Sequence, residues 1–175
     1  APGTWHDFFI GPDAFRHLGA YLPQIRRDIS KTAMRPWSPA RGWPDGWSTH
    51  RNWSQARQTP FEALRVLDPA PNLKRLREVQ EAFARAFPSL GRPRLLRAWA
   101  GMIDVMPDTV PVLDQSPLPG FWIATGLSGH GFGIGPGVGR VMADLMCGRP
   151  AGHDMTRFRF GRFTDGSKID LGPTF

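Results

Sequence analysis

The chain has 175 residues, 22 Lys+Arg against 15 Asp+Glu for a formal net charge of +7, and 41% hydrophobic residues. That hydrophobic share excludes wholesale disorder, which needs low hydrophobicity together with high charge, and the length fits one domain or one domain with a tail. The 20 Gly and 18 Pro follow no three-residue period, which excludes collagen and predicts many turns and few long helices.

A single cysteine, Cys147, excludes an internal disulfide framework and a cysteine zinc site. No apolar run approaches the ~18 residues that a membrane span needs. The first residues, Ala1-Pro2-Gly3-Thr4-Trp5-His6-Asp7, lack the basic and apolar blocks of a signal peptide. We expect no membrane partner, and the cytoplasm is the default compartment. The basic residues are dispersed (Arg26-Arg27, Arg35, Arg41, Lys74-Arg75, Arg157, Arg159, Arg162), which reads as a solvated surface with no nucleic-acid partner.

In chain order, Phe8-Phe9-Ile10 reads as an extended segment stopped by Gly11-Pro12. Asp13 is placed to cap a helix carrying Phe15, Leu18 and Leu22, which Pro23 interrupts or ends. Trp37, Trp43, Trp47 and Trp53 lie in a polar, proline-rich stretch and need covering, either by local packing or as a loop over a pocket or partner. Asp68-Pro69-Ala70-Pro71-Asn72 announces a second helix, capped by Asn72, with Leu73, Leu76, Gln80, Phe83 and Phe87 on one side, ended by Pro88. Residues 94–103 read as a strand, Pro107-Asp108 as a turn, and Val110-Pro111-Val112-Leu113 and Phe121-Trp122-Ile123-Ala124-Thr125 as two more strands. Pro136 suits the first turn of a last helix with the stripe Val138, Val141, Met142, Leu145 and Met146, ended by Gly148 and Pro150. Residues 151–175 are basic and aromatic.

Between the last strand and the last helix runs Gly126-Leu127-Ser128-Gly129-His130-Gly131-Phe132-Gly133-Ile134-Gly135-Pro136-Gly137-Val138-Gly139. Glycines there allow positive φ and let a flat or anionic ligand approach the main chain. The helix N-terminus offers free N–H groups and partial positive charge. The plainer alternative is a tight strand-to-helix connection. The spacing is not the G-x-G-x-x-G dinucleotide fingerprint, and no Gly-Lys-Ser/Thr follows, so it is not a P-loop.

Trp99-Ala100-Gly101-Met102-Ile103, then Pro107-Asp108 with Pro111-Val112, then Ile123-Ala124-Thr125-Gly126-Leu127-Ser128-Gly129-His130-Gly131-Phe132, and last Gly139-Arg140 with Met142-Ala143-Asp144-Leu145, come in a specific order and spacing. Over residues 99–148 the chain resembles the C-terminal part of the flavin-dependent amine and amino-acid oxidoreductases, the D-amino-acid oxidase/glycine oxidase superfamily. Pro60-Phe61 and Leu67-Asp68-Pro69-Ala70-Pro71 fit the same family, and residues 1–59 match it more weakly.

The resemblance implies an α/β (α+β) fold. The chain would be the C-terminal part of a two-domain FAD oxidoreductase, with the return into a Rossmann-like FAD domain and part of an antiparallel-sheet substrate domain. Residues 1–92 would belong to the substrate domain and 93–150 to the return, with 151–175 as tail. FAD is the implied cofactor. Gly129, His130, Gly131, Phe132, Gly133 and Ile134 would face the flavin, and Gly101 and Met102 would lie close to its ring. The helix dipole would stabilise negative charge on the reduced ring. His130 is either a flavin-edge group or a residue bonding its own loop. The implied reaction is oxidation of a C–N bond in a small-molecule amine or amino acid by hydride transfer to FAD, followed by imine hydrolysis. The alternative is a non-catalytic subunit that completes a partner's FAD site.

The chain departs from that pattern in three ways. The N-terminal FAD fingerprint is absent, so we expect a truncated or proteolytic piece, or a split enzyme whose other chain carries the fingerprint. In isolation it should be inactive and hold flavin weakly or not at all. Ile103 stands where relatives place a carboxylate-binding Arg. As a substrate-lining residue it cannot bind a carboxylate, so another Arg supplies the clamp or the substrate is not a simple amino acid. Gly101 stands where the sarcosine-oxidase branch has a flavin-linking cysteine, which excludes covalent attachment there. No catalytic base is assigned, because the flavin does the chemistry. Asp108 reads as a turn former and Cys147 as packing. His6, His17, His50 and His153 read as surface groups without metal spacing. With the companion portion missing, Val138, Val141 and Leu145 should be exposed and the chain should self-associate.

Overall fold

The computed structural model describes residues 6–36, 46, 47 and 49–172. Trp37 and Trp43 lie outside the described residues. The chain divides into two compact units, one of Ala1–Arg16 and Ile29–Met102, the other of His17–Asp28 and Ile103–Phe175.

In the first unit, β1 (His6–Phe9) pairs in parallel with β2 (Thr32–Arg35), His6 opposite Thr32. Helix α1 (Pro12–Arg16) begins at the proline, so Asp13 lies in its first turn and does not cap it. The Asp13 carboxylate instead meets Arg16 at 3.0 Å and Arg51 at 2.9 Å. The Trp47 ring stacks at a tilt on Phe15, 5.8 Å between centroids, and its N–H donates to the Ile10 carbonyl at 2.9 Å. Local packing thus covers this tryptophan in part.

After the short α3 (Pro60–Ala63), whose Thr59–Glu62 capping box the sequence reading missed, comes α4 (Leu73–Ala86). Asn72 caps it as expected, accepting from the Arg75 N–H at 3.2 Å. The Phe87 N–H closes on the Phe83 carbonyl at 2.8 Å before Pro88, which has no N–H to continue the ladder. Residues 94–103 form no strand: no ladder partner lies among the described residues, and Leu96 and Trp99 stay 79% and 75% exposed. An apolar run without a second strand cannot satisfy its own backbone.

The second unit opens with α2 (Leu18–Asp28), separated from α1 by one turn residue at His17. Pro23 lies inside it and does not end it; the helix forgoes the bond to the Gly19 carbonyl and runs on. Strand β3 (Val112–Gln115) pairs antiparallel with β4 (Trp122–Thr125), Val112 opposite Thr125. Helix α5 (Gly131–Met146) begins five residues earlier than Pro136, which is therefore interior, and nine of the fourteen residues of the expected glycine turn are helix.

The stripe of α5 is not left bare. Val141 and Met142 are buried with Leu113, while Val138 and Leu145 pack there beside Trp122, Ala151, Met155 and Phe158. The C-terminal segment thus supplies cover that the sequence reading assigned to absent strands. Cys147 is exposed and does not pack. Helix α5 ends in a paired closure: the Gly148 N–H (φ +68) reaches the Leu145 carbonyl at 3.0 Å and the Arg149 N–H reaches Asp144 at 2.8 Å. Among the described residues no helix is long and apolar enough to cross a membrane.

Candidate functional site

Strand β4 delivers the chain to Gly126, whose φ of +73° suits glycine. A Cβ there would lie 2.3 Å from the Met106 Cγ, so the residue is fixed both by conformation and by contact. Ser128 also takes positive φ, +50°, and Gly129 follows at +83°. At the next residue the backbone turns helical: His130 is the N-cap of α5, and its imidazole makes no capping hydrogen bond.

Residues 104–106 strap this turn down. The Asp104 Oδ2 accepts from the Thr125 hydroxyl at 2.5 Å and the Gly126 N–H at 2.6 Å. The Ser128 N–H donates to the Asp104 carbonyl at 2.9 Å. The Ser128 hydroxyl donates to the Gly126 carbonyl at 3.1 Å and accepts from the Met106 N–H at 3.2 Å. The phenol of Tyr21 donates to the Val105 carbonyl at 2.9 Å. Burial pushes that phenol's pKa up, and the charges of Asp104 and Asp108 push it further.

The strap is anchored from below. Asp108, buried at 5% exposure, accepts from Arg162 at both carboxylate oxygens, 2.8 and 3.0 Å. It also accepts from the Val110 N–H at 3.1 Å, the turn-forming role expected of it. Arg162 donates further to the Val110 and Arg159 carbonyls. A cleft beside it is lined by Arg157, Arg159, Arg162 and Lys168, but its guanidiniums are engaged, Arg159 by Asp165 at 2.5 Å and Arg157 by the Asp170 carbonyl at 2.6 Å.

The expected site residues fall as follows. Gly129, His130, Gly131, Phe132, Gly133 and Ile134 are contiguous across the turn and the first turn of α5. Phe132 is fully exposed and Ile134 is 41% exposed. Ile103 lies beside the turn, its Cγ2 3.8 Å from where a Gly129 Cβ would be. Gly101 and Met102 close the first unit, exposed, with nothing within 4 Å of a Gly101 Cβ. Sequence reasoning missed the roles of Asp104, Ser128 and Arg162.

The glycines of α5 separate into two kinds. At Gly131 a Cβ would come 2.9 Å from the Leu127 Cδ1, the end of a side chain that would have to move aside. At Gly133, Gly135, Gly137 and Gly139 a Cβ would meet nothing within 4 Å. A glycine inside a helix is destabilising by roughly 0.5–1 kcal/mol relative to alanine. Those four positions therefore carry a penalty that no contact among the described residues explains.

The profile of the FAD dependent oxidoreductase family matches residues 16–145. A D-amino acid dehydrogenase of Paramagnetospirillum magneticum is 38% identical over 97 residues, 55% of this chain and 23% of that protein. A sarcosine oxidase subunit beta of Rhodobacter capsulatus is 34% identical over 95 residues, 53% of this chain and 22% of that protein. The L-amino acid deaminase from Proteus vulgaris shares the fold with a TM-score of 0.76 at 22% identity, over 87% of this chain and 35% of that one. The chain spans about a quarter of the length of the curated relatives it matches. The family's cofactor is FAD. With the profile running through the turn, α5 and most of what precedes them, the chain belongs to the FAD-dependent oxidoreductase family.

Proposed function

We propose that this chain supplies the part of an FAD-dependent oxidoreductase that closes over the isoalloxazine ring, and that the whole protein oxidises a C–N bond of a small-molecule amine or amino acid. The observation that carries this reading is the run of glycines in α5 whose Cβ positions open onto nothing. A helix that gives up side chains on its solvent-facing first turns does so for close approach by another group, and family membership supplies a flat one.

The residues fit such a ring. The first N–H groups of α5, at Gly131 and Phe132, have no carbonyl one turn earlier in the helix. The helix dipole adds positive charge at the same end, suited to negative charge on the reduced ring edge. Gly129, His130, Gly133 and Ile134 would complete that contact, and Gly101 and Met102 are assigned to the cofactor on the resemblance alone. FAD, when bound, supplies the hydride acceptor. Ile103, apolar and beside the turn, would line the substrate and exclude water without gripping a carboxylate. No complete G-x-G-x-x-G occurs in these 175 residues, so the pyrophosphate grip would come from a companion portion, in cis or on another chain. We assign residues 1–92 to the substrate domain, 93–150 to the return into the FAD domain, and 151–175 to a tail on that return.

The test is to purify the protein with its natural companion portion and record its visible spectrum and its reduction by amino acids and N-methyl amines under anaerobic conditions. The expected result is a flavin spectrum that bleaches with one of these substrate classes. A colourless complex that takes up no added FAD overturns the reading.

A further inference from the structure

We propose that Asp104 is the positioning residue of the strand-to-helix turn, its side-chain oxygen fixing Thr125 and Gly126 so that the turn through Ser128 keeps the conformation that presents the start of α5. The turn contains Ser128 at φ +50° beside Gly126 and Gly129 at +73° and +83°. Glycines permit that path but do not enforce it, because they populate many others. A serine in the left-handed region persists only when its surroundings hold it there. Asp104 does so from two sides. Its Oδ2 takes the Thr125 hydroxyl and the Gly126 N–H together, and its carbonyl takes the Ser128 N–H. Both side-chain bonds land on one oxygen. An amide whose oxygen occupies that place therefore keeps the geometry and loses the charge. The purpose of the turn rests on the proposed reading; the clamp itself does not involve the cofactor.

The experiment uses the full chain without flavin and compares Asp104→Asn with Asp104→Ala. Amide hydrogen exchange should rise about tenfold or more at Gly126 and Ser128 in the alanine variant and stay within about threefold of wild type in the asparagine variant. Asp104→Ser, too short to reach Gly126, replaces the alanine variant should that one not fold. Tyr21 is the chain's one tyrosine and sits beside Asp104, so its alkaline absorbance titration reports the lost charge directly. It should move to lower pH in every variant, whether or not the turn opens. Unchanged exchange in Asp104→Ala, or equal opening in Asp104→Asn and Asp104→Ala, overturns the assignment. Intact clamp behaviour with no FAD binding in the whole protein would overturn the proposed function and leave Asp104 standing.

Discussion

Gly126 and Gly133 are glycines for opposite reasons, and substitution separates them. Gly126→Ala forces a Cβ into Met106 at a left-handed φ, so we expect a loss of about 2 kcal/mol or more in urea unfolding. Gly133→Ala and Gly137→Ala add helix propensity and strike nothing, so each should stabilise the chain by about 0.5–1 kcal/mol while weakening FAD retention in the whole protein. Stabilisation without loss of flavin would refute the close-approach argument. The Arg162–Asp108 pair, with side chains 6% and 7% exposed, is the costliest to break: Arg162→Ala strands a buried carboxylate and should lose about 3–5 kcal/mol. The glycine run was legible because it is local. Arg162 was not, since its partner lies 54 residues away and nothing in a basic tail marks which arginine turns inward.

At the scale of elements, periodicity and caps carried well where they are self-contained. Asn72 and the closure at Gly148 were readable because a cap needs only its own helix. Asn72→Ala should reduce thermal stability by about 1 kcal/mol through the lost bond to the Arg75 N–H. Pro136 does not lie in the first turn expected of it, and Pro23 interrupts its helix without ending it. Both Pro23 and Pro136 are the sixth residue of their helices, where the ladder loses one bond and continues. Strand pairing was the other failure: residues 94–103 have strand composition, but a ladder is a property of two segments.

At the scale of the whole molecule, each unit leaves large apolar side chains in water. Val66, Leu96 and Trp99 do so in the first, at 76%, 79% and 75% exposure, and Leu118, Phe121 and Phe132 do so in the second, at 66%, 56% and 104%. We expect concentration-dependent self-association of the chain alone; light scattering that shows a monomer at high concentration refutes it. Stability should also fall at both pH extremes. Hydrogen bonds from Ser167 and then Arg159 hold the Asp165 carboxyl down at about 2, so its contribution is present above 3.8 and lost as pH falls toward 2. Asp165→Asn should flatten that acid limb in a thermal-midpoint series. Tyr21, raised by burial first, contributes below pH 10 and loses that contribution as pH rises through its elevated value, which Tyr21→Phe should abolish. Met106 gives the fold one more vulnerability. Its thioether belongs to a half-buried side chain seated against Gly126, where a Cβ would come within 3.0 Å of the sulfur. Conversion to the sulfoxide would put a polar oxygen into that seat, so ageing in peroxide should loosen this joint, and a methionine sulfoxide reductase should restore it.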